Sequence, residues 1–160
     1  MSDQPSSQLD RGVYWESLTL IERLHRQFLD LLKSDLEKLG YSDINNVQSL
    51  ILYNIGDDNL TVGDLTHRGY YLGSNVSYNL KKLVENGYLD QERSRHDRRS
   101  SKVQLTEKGA DLRGKLAELF DTQVEQLDES SRLDGDELTE MIRMLKAMER
   151  FWGDMTRFVR

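Results

Sequence analysis

The sequence predicts a mostly α-helical fold, with a helix–turn–helix followed by a two-stranded β-hairpin and flanked by long helices. Three observations predict it. Pro5 is the single proline in 160 residues, and Leu, Glu, Lys and Arg are plentiful, a balance that favours helix over its breakers. Apolar residues recur at helical spacing through several long windows. Between residues 88 and 105 the pattern changes to two short alternating runs around an arginine-rich turn, which is the signature of a hairpin.

The elements follow in order. After a polar stretch over 1–10, the spacing of Leu18, Ile21, Leu24, Phe28, Leu32 and Leu36 predicts a first helix over about 13–39. Tyr14, Trp15, Leu29 and Leu31 make it apolar on more than one face, so it needs more than one partner. Gly40 is placed to end it as the residue after the cap. Ser42 to Asn45 supply a cap for a second helix to about Ile55, and residues 56–59 form a turn. Thr61, with Asp64 three residues on, caps a short third helix that Gly69 closes. A fourth helix runs over about 74–86. Val76, Leu80, Leu83 and Val84 form its apolar stripe, and Gly87 terminates it. Strands are expected over 88–93 and 100–105. Thr106 caps a long fifth helix to about Glu129, carrying Leu112, Leu116, Leu119, Phe120 and Leu127 on one side. Asp134 caps a sixth, whose apolar side is Leu138, Met141, Ile142, Leu145, Met148, Phe151, Trp152 and Met155.

Composition narrows the function. No apolar run is long enough to span a bilayer, and the polar, acidic start is not a signal peptide. With no cysteine, thiolate metal sites and disulfides are excluded, and a cytoplasmic location is expected. His25, His67 and His96 show no metal-ligand spacing. No nucleophile–base pair, phosphate loop or carboxylate dyad stands out. Neither catalysis, a metal nor a cofactor is therefore expected.

The net charge of −6 hides a segregated pattern. Residues 93–102 carry a local net of +4, and residues 121–140 one of −7. Such separation draws a polyanion to one surface and repels it from another. The order of elements gives that surface a mechanical logic. The third helix crosses a DNA backbone and the fourth enters the major groove. Ser74, Asn75, Ser77 and Asn79 carry the hydroxyls and amides that address base edges. Tyr78, Lys81 and Lys82 hold phosphates, which set register and not sequence. The hairpin tip, with Arg95, His96, Asp97, Arg98 and Arg99, reaches an adjacent minor groove, where arginine suits the enhanced negative potential. This is a winged helix-turn-helix with a two-stranded β-hairpin wing. His96 is expected against phosphate, and His25, on an otherwise apolar helix, as a packed, hydrogen-bonded side chain.

Residues 97–109 resemble the D-x-R-x-x-x-V-x-L-T-x-x-G signature of MarR-type winged-helix transcription regulators. Val76-Ser77, Leu80, Leu83, Gly87-Tyr88-Leu89 and Arg93 match the pattern that precedes it in that family. Residues 69–83 are more narrowly similar to an LdtR-type branch. The resemblance implies a homodimer built by the first, fifth and sixth helices, with two lobes gripping a pseudo-palindromic operator in double-stranded DNA. It divides the chain into a disordered tail (1–10), an N-terminal dimerisation helix (11–40), a winged-helix lobe (41–109) and C-terminal dimerisation helices (110–160). By motif position, Asp97 would pair with a nearby arginine to brace the wing, and Arg99 would enter the minor groove. Bulky Tyr70 and Tyr71 before the recognition helix depart from the usual pattern.

The function expected is a site-specific DNA-binding transcription regulator, a repressor, modulated by a small aromatic effector. His25, Tyr41, Asn46 and Tyr70 are candidates to line its pocket. The alternatives are a winged helix used for protein–protein interaction, with the basic wing on an acidic partner, and a non-specific architectural DNA binder. The acidic total charge argues against the last, because such binding rests on phosphate neutralisation.

Overall fold

The computed structural model describes residues 8–56, 60–67, 73–92, 95–96 and 100–157, with the side chains of residues 73 and 74 outside the description. In order, the elements are α1 (Arg11–Lys38), α2 (Asn46–Ile55), β1 (Leu60–Thr61), α3 (Val62–His67), α4 (Gly73–Glu85), β2 (Leu89–Glu92), β3 (Lys102–Leu105), α5 (Glu107–Glu129) and α6 (Gly135–Arg157). The fold class is as expected, a mostly helical winged helix. The sheet has one more strand than the hairpin predicted. Its order is β1-β3-β2, antiparallel throughout, with Leu60 opposite Val103 and Leu89 opposite Leu105. A two-residue strand is too short to show alternation in sequence. Its pairing, and the hydrogen bond from Val62 N to Ser101 O at 3.0 Å, come from tertiary contact.

The helix ends are set locally. Asp10 caps α1 by accepting from Gly12 N and Val13 N. Asn45 and Gln48 form a reciprocal capping box at α2. Thr61 and Asp64 do the same at α3, with backbone-to-side-chain distances of 2.9 and 3.0 Å, as do Asp134 and Glu137 at α6. Each such cap contributes about 1 kcal/mol. Gly87 ends α4 with φ of 81°, a left-handed conformation that other residues adopt only at a cost.

The chain divides into two compact units, Met1–Arg113 and Gly114–Arg160. In the first, Leu32 and Leu36 of α1, Ile51, Leu52 and Ile55 of α2, Leu65 of α3, and Val76, Leu80 and Leu83 of α4 are buried with Tyr88, Leu89 and Val103 of the sheet. Burying each such side chain contributes about 1.5–3 kcal/mol. Helix α4 packs against α2, α3 and β2.

One polar cluster ties this unit together. Asp43 accepts from the Tyr88 hydroxyl and from Lys108 Nζ at 2.9 Å. Its carbonyl accepts from Asn86 Nδ2 at 2.6 Å, and Lys108 also donates to Asn86 O. Lys108 Nζ lies 4.2 Å from the Tyr88 ring centre. Burial by itself would raise the Asp43 carboxyl, but the hydrogen bonds from Tyr88 and Lys108 and the lysine charge outweigh it. They hold the group below its ordinary value of 3.8. A folded value below the unfolded one contributes stability above the unfolded pKa, and that contribution is lost as pH falls through the folded value. Asp43→Asn is therefore expected to flatten the decline of melting temperature on acidification below the carboxylate range. An acid limb as steep as in the parent would contradict this role.

The second unit holds the later part of α5 and all of α6. No residue of α6 is buried, although Met141, Ile142, Met144, Leu145, Phe151 and Met155 recur along it. In α1, Val13, Trp15, Leu20, Leu24, Phe28 and Leu31 are likewise exposed, so only the C-terminal end of the predicted stripe reaches the core. Among the described residues, no helix is long and apolar enough to cross a membrane.

Candidate nucleic-acid interface

Helix α4 presents a polar face and buries the opposite one. Asn75, Ser77, Tyr78 and Lys81 are exposed, Lys82 is half-buried, and Val76, Leu80 and Leu83 are buried. At 3.6 residues per turn, the exposed residues fall on one continuous side. This side offers an amide, two hydroxyls and two ammonium groups, a mixture able to meet both base edges and phosphates.

Asn79 differs from the sequence expectation. It is buried, and its side chain is engaged at both ends. Its Nδ2 donates to Asn75 O at 2.9 Å, and its Oδ1 accepts from Gln48 Nε2 at 3.2 Å. The buried arc of α4 is thus turned towards Asn79 and away from Val84, which is only half-buried. The physical reason is Gln48 on α2, a polar partner that local periodicity cannot reveal. In this arrangement Asn79 supports α4 and does not face a groove.

Glu85 also went unremarked in the sequence. Its carboxylate lies 3.0 Å from Lys82 Nζ and 3.8 Å from Lys81 Nζ. The hydrogen bond from Lys82 holds the Glu85 carboxyl below the usual range, and the same bond raises Lys82. One acid therefore occupies both cations that the sequence assigns to phosphates.

The strands after α4 carry the hairpin. Arg95 and His96 are exposed at its tip. The Ser74 side chain, Asp97, Arg98, Arg99 and Tyr70 lie outside the described residues. The base of the hairpin is tightly fixed. Thr106 N donates to Tyr88 O at 3.1 Å, and Thr106 Oγ1 donates to Gly87 O at 2.7 Å and accepts from Gly109 N at 3.1 Å. The L-T-x-x-G segment is therefore a joint between the hairpin and α5.

Of the four candidate effector residues, two come together. Tyr41 and Asn46 line a cavity of about 470 Å³ with Lys33, Leu36, Ile44 and Asn45, among others. Tyr41 donates to Asp111 Oδ2 at 3.3 Å, and Asn46 Nδ2 donates to Leu29 O at 3.0 Å. His25 is exposed on α1 and does not line this cavity. Among the described residues, His25 is thus not packed within one chain, and the expectation of a packed histidine is not met there. Among the described residues, no group of three His, Asp or Glu side chains could hold a metal ion.

Comparison with known proteins adds to this geometry. The chain matches the MarR family model over residues 42–100, from the loop before α2 to the end of the hairpin turn. It is 37% identical over 145 residues to the exopolysaccharide II synthesis transcriptional activator ExpG of Rhizobium meliloti (strain 1021), an alignment covering 91% of this chain and 74% of that protein. Among solved structures it is similar to Staphylococcus aureus MarR in complex with salicylate and kanamycin, at 23% identity and a TM-score of 0.73, over 90% of this chain and 95% of that one. It is also similar to Streptococcus pneumoniae FabT in complex with DNA, at 20% identity and a TM-score of 0.69, over 89% of this chain and 99% of that one. At these identities the two structures show a shared fold.

Proposed function

Because this chain belongs to the MarR family of transcription regulators, we propose that it acts as a homodimer on a pseudo-palindromic duplex site, with α4 in the major groove and the hairpin on the flanking minor groove. The observation that carries this reading is the single exposed face of α4, on which Asn75, Ser77, Tyr78, Lys81 and Lys82 stand opposite a buried side formed by Val76, Leu80 and Leu83 with the hydrogen-bonded Asn79. Ser77 and Asn75 address bases, and the lysines with Tyr78 address phosphates. Arg95, His96 and Arg98 extend the contact at the hairpin, and Arg99 keeps the minor-groove role the motif implies, with Asp97 bracing the wing. The FabT structure in complex with DNA supports this reading.

Homodimerisation is supported by the unburied apolar faces of α1 and α6, each too extensive for solvent. A second copy is the occupant a symmetric site requires. Modulation by a small aromatic molecule is supported by the cavity beside Tyr41 and Asn46 and by the MarR structure with salicylate. The relative ExpG is named an activator, so repression is proposed only for sites where the dimer covers a promoter.

Two variants test the interface. Glu85→Gln removes an acid from the phosphate-facing side and frees both lysines. It is expected to raise affinity for every duplex by a few-fold and to steepen the salt dependence. Ser77→Ala is expected to alter preference at one base position, with affinity for unrelated duplexes unchanged. Equal affinities in parent and both variants, by fluorescence anisotropy on matched duplexes, would contradict the assignment of this face.

A further inference from the structure

The backbone N–H of Asn45 and the side-chain amides of Gln48 and Asn79 form a continuous chain from the wall of the cavity to the first turn of α4. Asn45 lines the cavity. Its backbone N–H donates to Gln48 Oε1 at 3.1 Å, and its Oδ1 accepts from Gln48 N at 2.8 Å. Gln48 Nε2 donates to Asn79 Oδ1, and Asn79 Nδ2 to Asn75 O. Gln48 and Asn79 are both more than nine-tenths buried. Among the described residues, no buried side-chain nitrogen or oxygen lacks a partner, and the side-chain amides of Gln48 and Asn79 are each engaged at both the nitrogen and the oxygen.

A side-chain amide has a donor end and an acceptor end, so a chain of amides each bonded at both ends has one direction. Turning one amide over breaks bonds on both sides. The capping box uses the acceptor end of Gln48 and leaves its donor end for α4. Asn79 must then accept with Oδ1 and donate with Nδ2 to its own helix. The start of α2 thereby dictates the orientation of a side chain inside α4. Around that side chain, the buried arc of the helix is rotated off its apolar stripe.

We propose that Gln48 and Asn79 are positioning residues for DNA recognition, through which the capping box of α2 sets the rotation of α4 about its axis and so selects which side chains face a duplex. The proposal rests on the reading of α4 as the groove-entering helix. Displacement of Asn45 at the cavity wall then releases Gln48 and, through it, Asn79. The same three residues therefore connect occupancy of the cavity to the pose of α4.

Two variants separate this role from plain structural support. Gln48→Glu keeps the length and the N3 acceptor of the capping box but cannot donate to Asn79. Asn45→Ala removes a cap at an exposed position and leaves the core intact. The readout is the ratio of affinity for the duplex best bound by the parent to affinity for an unrelated duplex, alongside melting temperature. The ratio is expected to fall by about tenfold in Gln48→Glu, comparable to one wrong base pair, and by a smaller factor in Asn45→Ala. Affinity for the unrelated duplex should not change. A structural role alone would lower melting temperature and leave the ratio untouched, and that result would overturn the proposal. Should Gln48→Glu fail to fold, Asn79→Asp, which keeps the acceptor for Gln48 Nε2 but cannot donate to Asn75 O, decides the matter by the same ratio. A parent that shows no preferred duplex would overturn the DNA-binding reading itself. A parent with a clear preference, matched by its variants, would overturn only the positioning role.

Discussion

Gly109→Ala is expected to destabilise the protein by about 3 kcal/mol, lowering the melting temperature by roughly 6–12 °C. A Cβ at this position would stand 2.1 Å from Tyr88 O, and the atom it meets is backbone. That carbonyl already accepts from Thr106 N, and the Tyr88 side chain is completely buried, so the chain there cannot give way cheaply. Thr106 ties Gly87 O to Gly109 N through one hydroxyl. Relief would require α5 to withdraw from the hairpin base and break those bonds. Calorimetry of parent and variant decides the point. A melting temperature within about 2 °C of the parent would show that the joint is loose and that the glycine has another purpose.

The second large effect is expected at the apolar face of α6. Ile142 is half exposed in the single chain and no residue of α6 is buried, so Ile142→Asp should leave the chain folded. In a dimer, the new carboxylate would be buried without a partner, a cost large enough to separate subunits. The variant is expected to sediment as a monomer with the helical signal of the parent. Its affinity for a two-half-site duplex should fall by about 10²-fold or more, since the second half-site no longer binds as part of one body. A variant that remains dimeric would remove α6 from the interface. A monomer with full affinity would remove the dimer from recognition.

Much of this was legible in the sequence because it is local. Helix caps need partners only three residues apart, and Asn45 with Gln48, Thr61 with Asp64, and Asp134 with Glu137 lie at that spacing. Gly87 marked the end of α4 and Thr106 the start of α5 for the same reason. The polar face of α4 followed from periodicity. What escaped was settled across the chain. The two residues of β1 are a strand only because β3 lies beside them. Asn79 is the residue type that reads adenine, yet Gln48, 31 positions away, turns it inward. His25 was expected to pack, but α1 finds cover only near Leu32 and Leu36. The role of Gly109 was visible as a motif letter, while its cause, the Tyr88 carbonyl, appears only in three dimensions.

The measurement that bears most directly on the central claim is selection of bound sites from a random duplex library, scored at two salt concentrations. The account predicts enrichment of a palindrome with half-sites about one helical turn apart, roughly 34–36 Å, retained at the higher salt. Weak binding without enrichment, vanishing as salt rises, would contradict it and would turn the exposed face of α4 over to a protein partner.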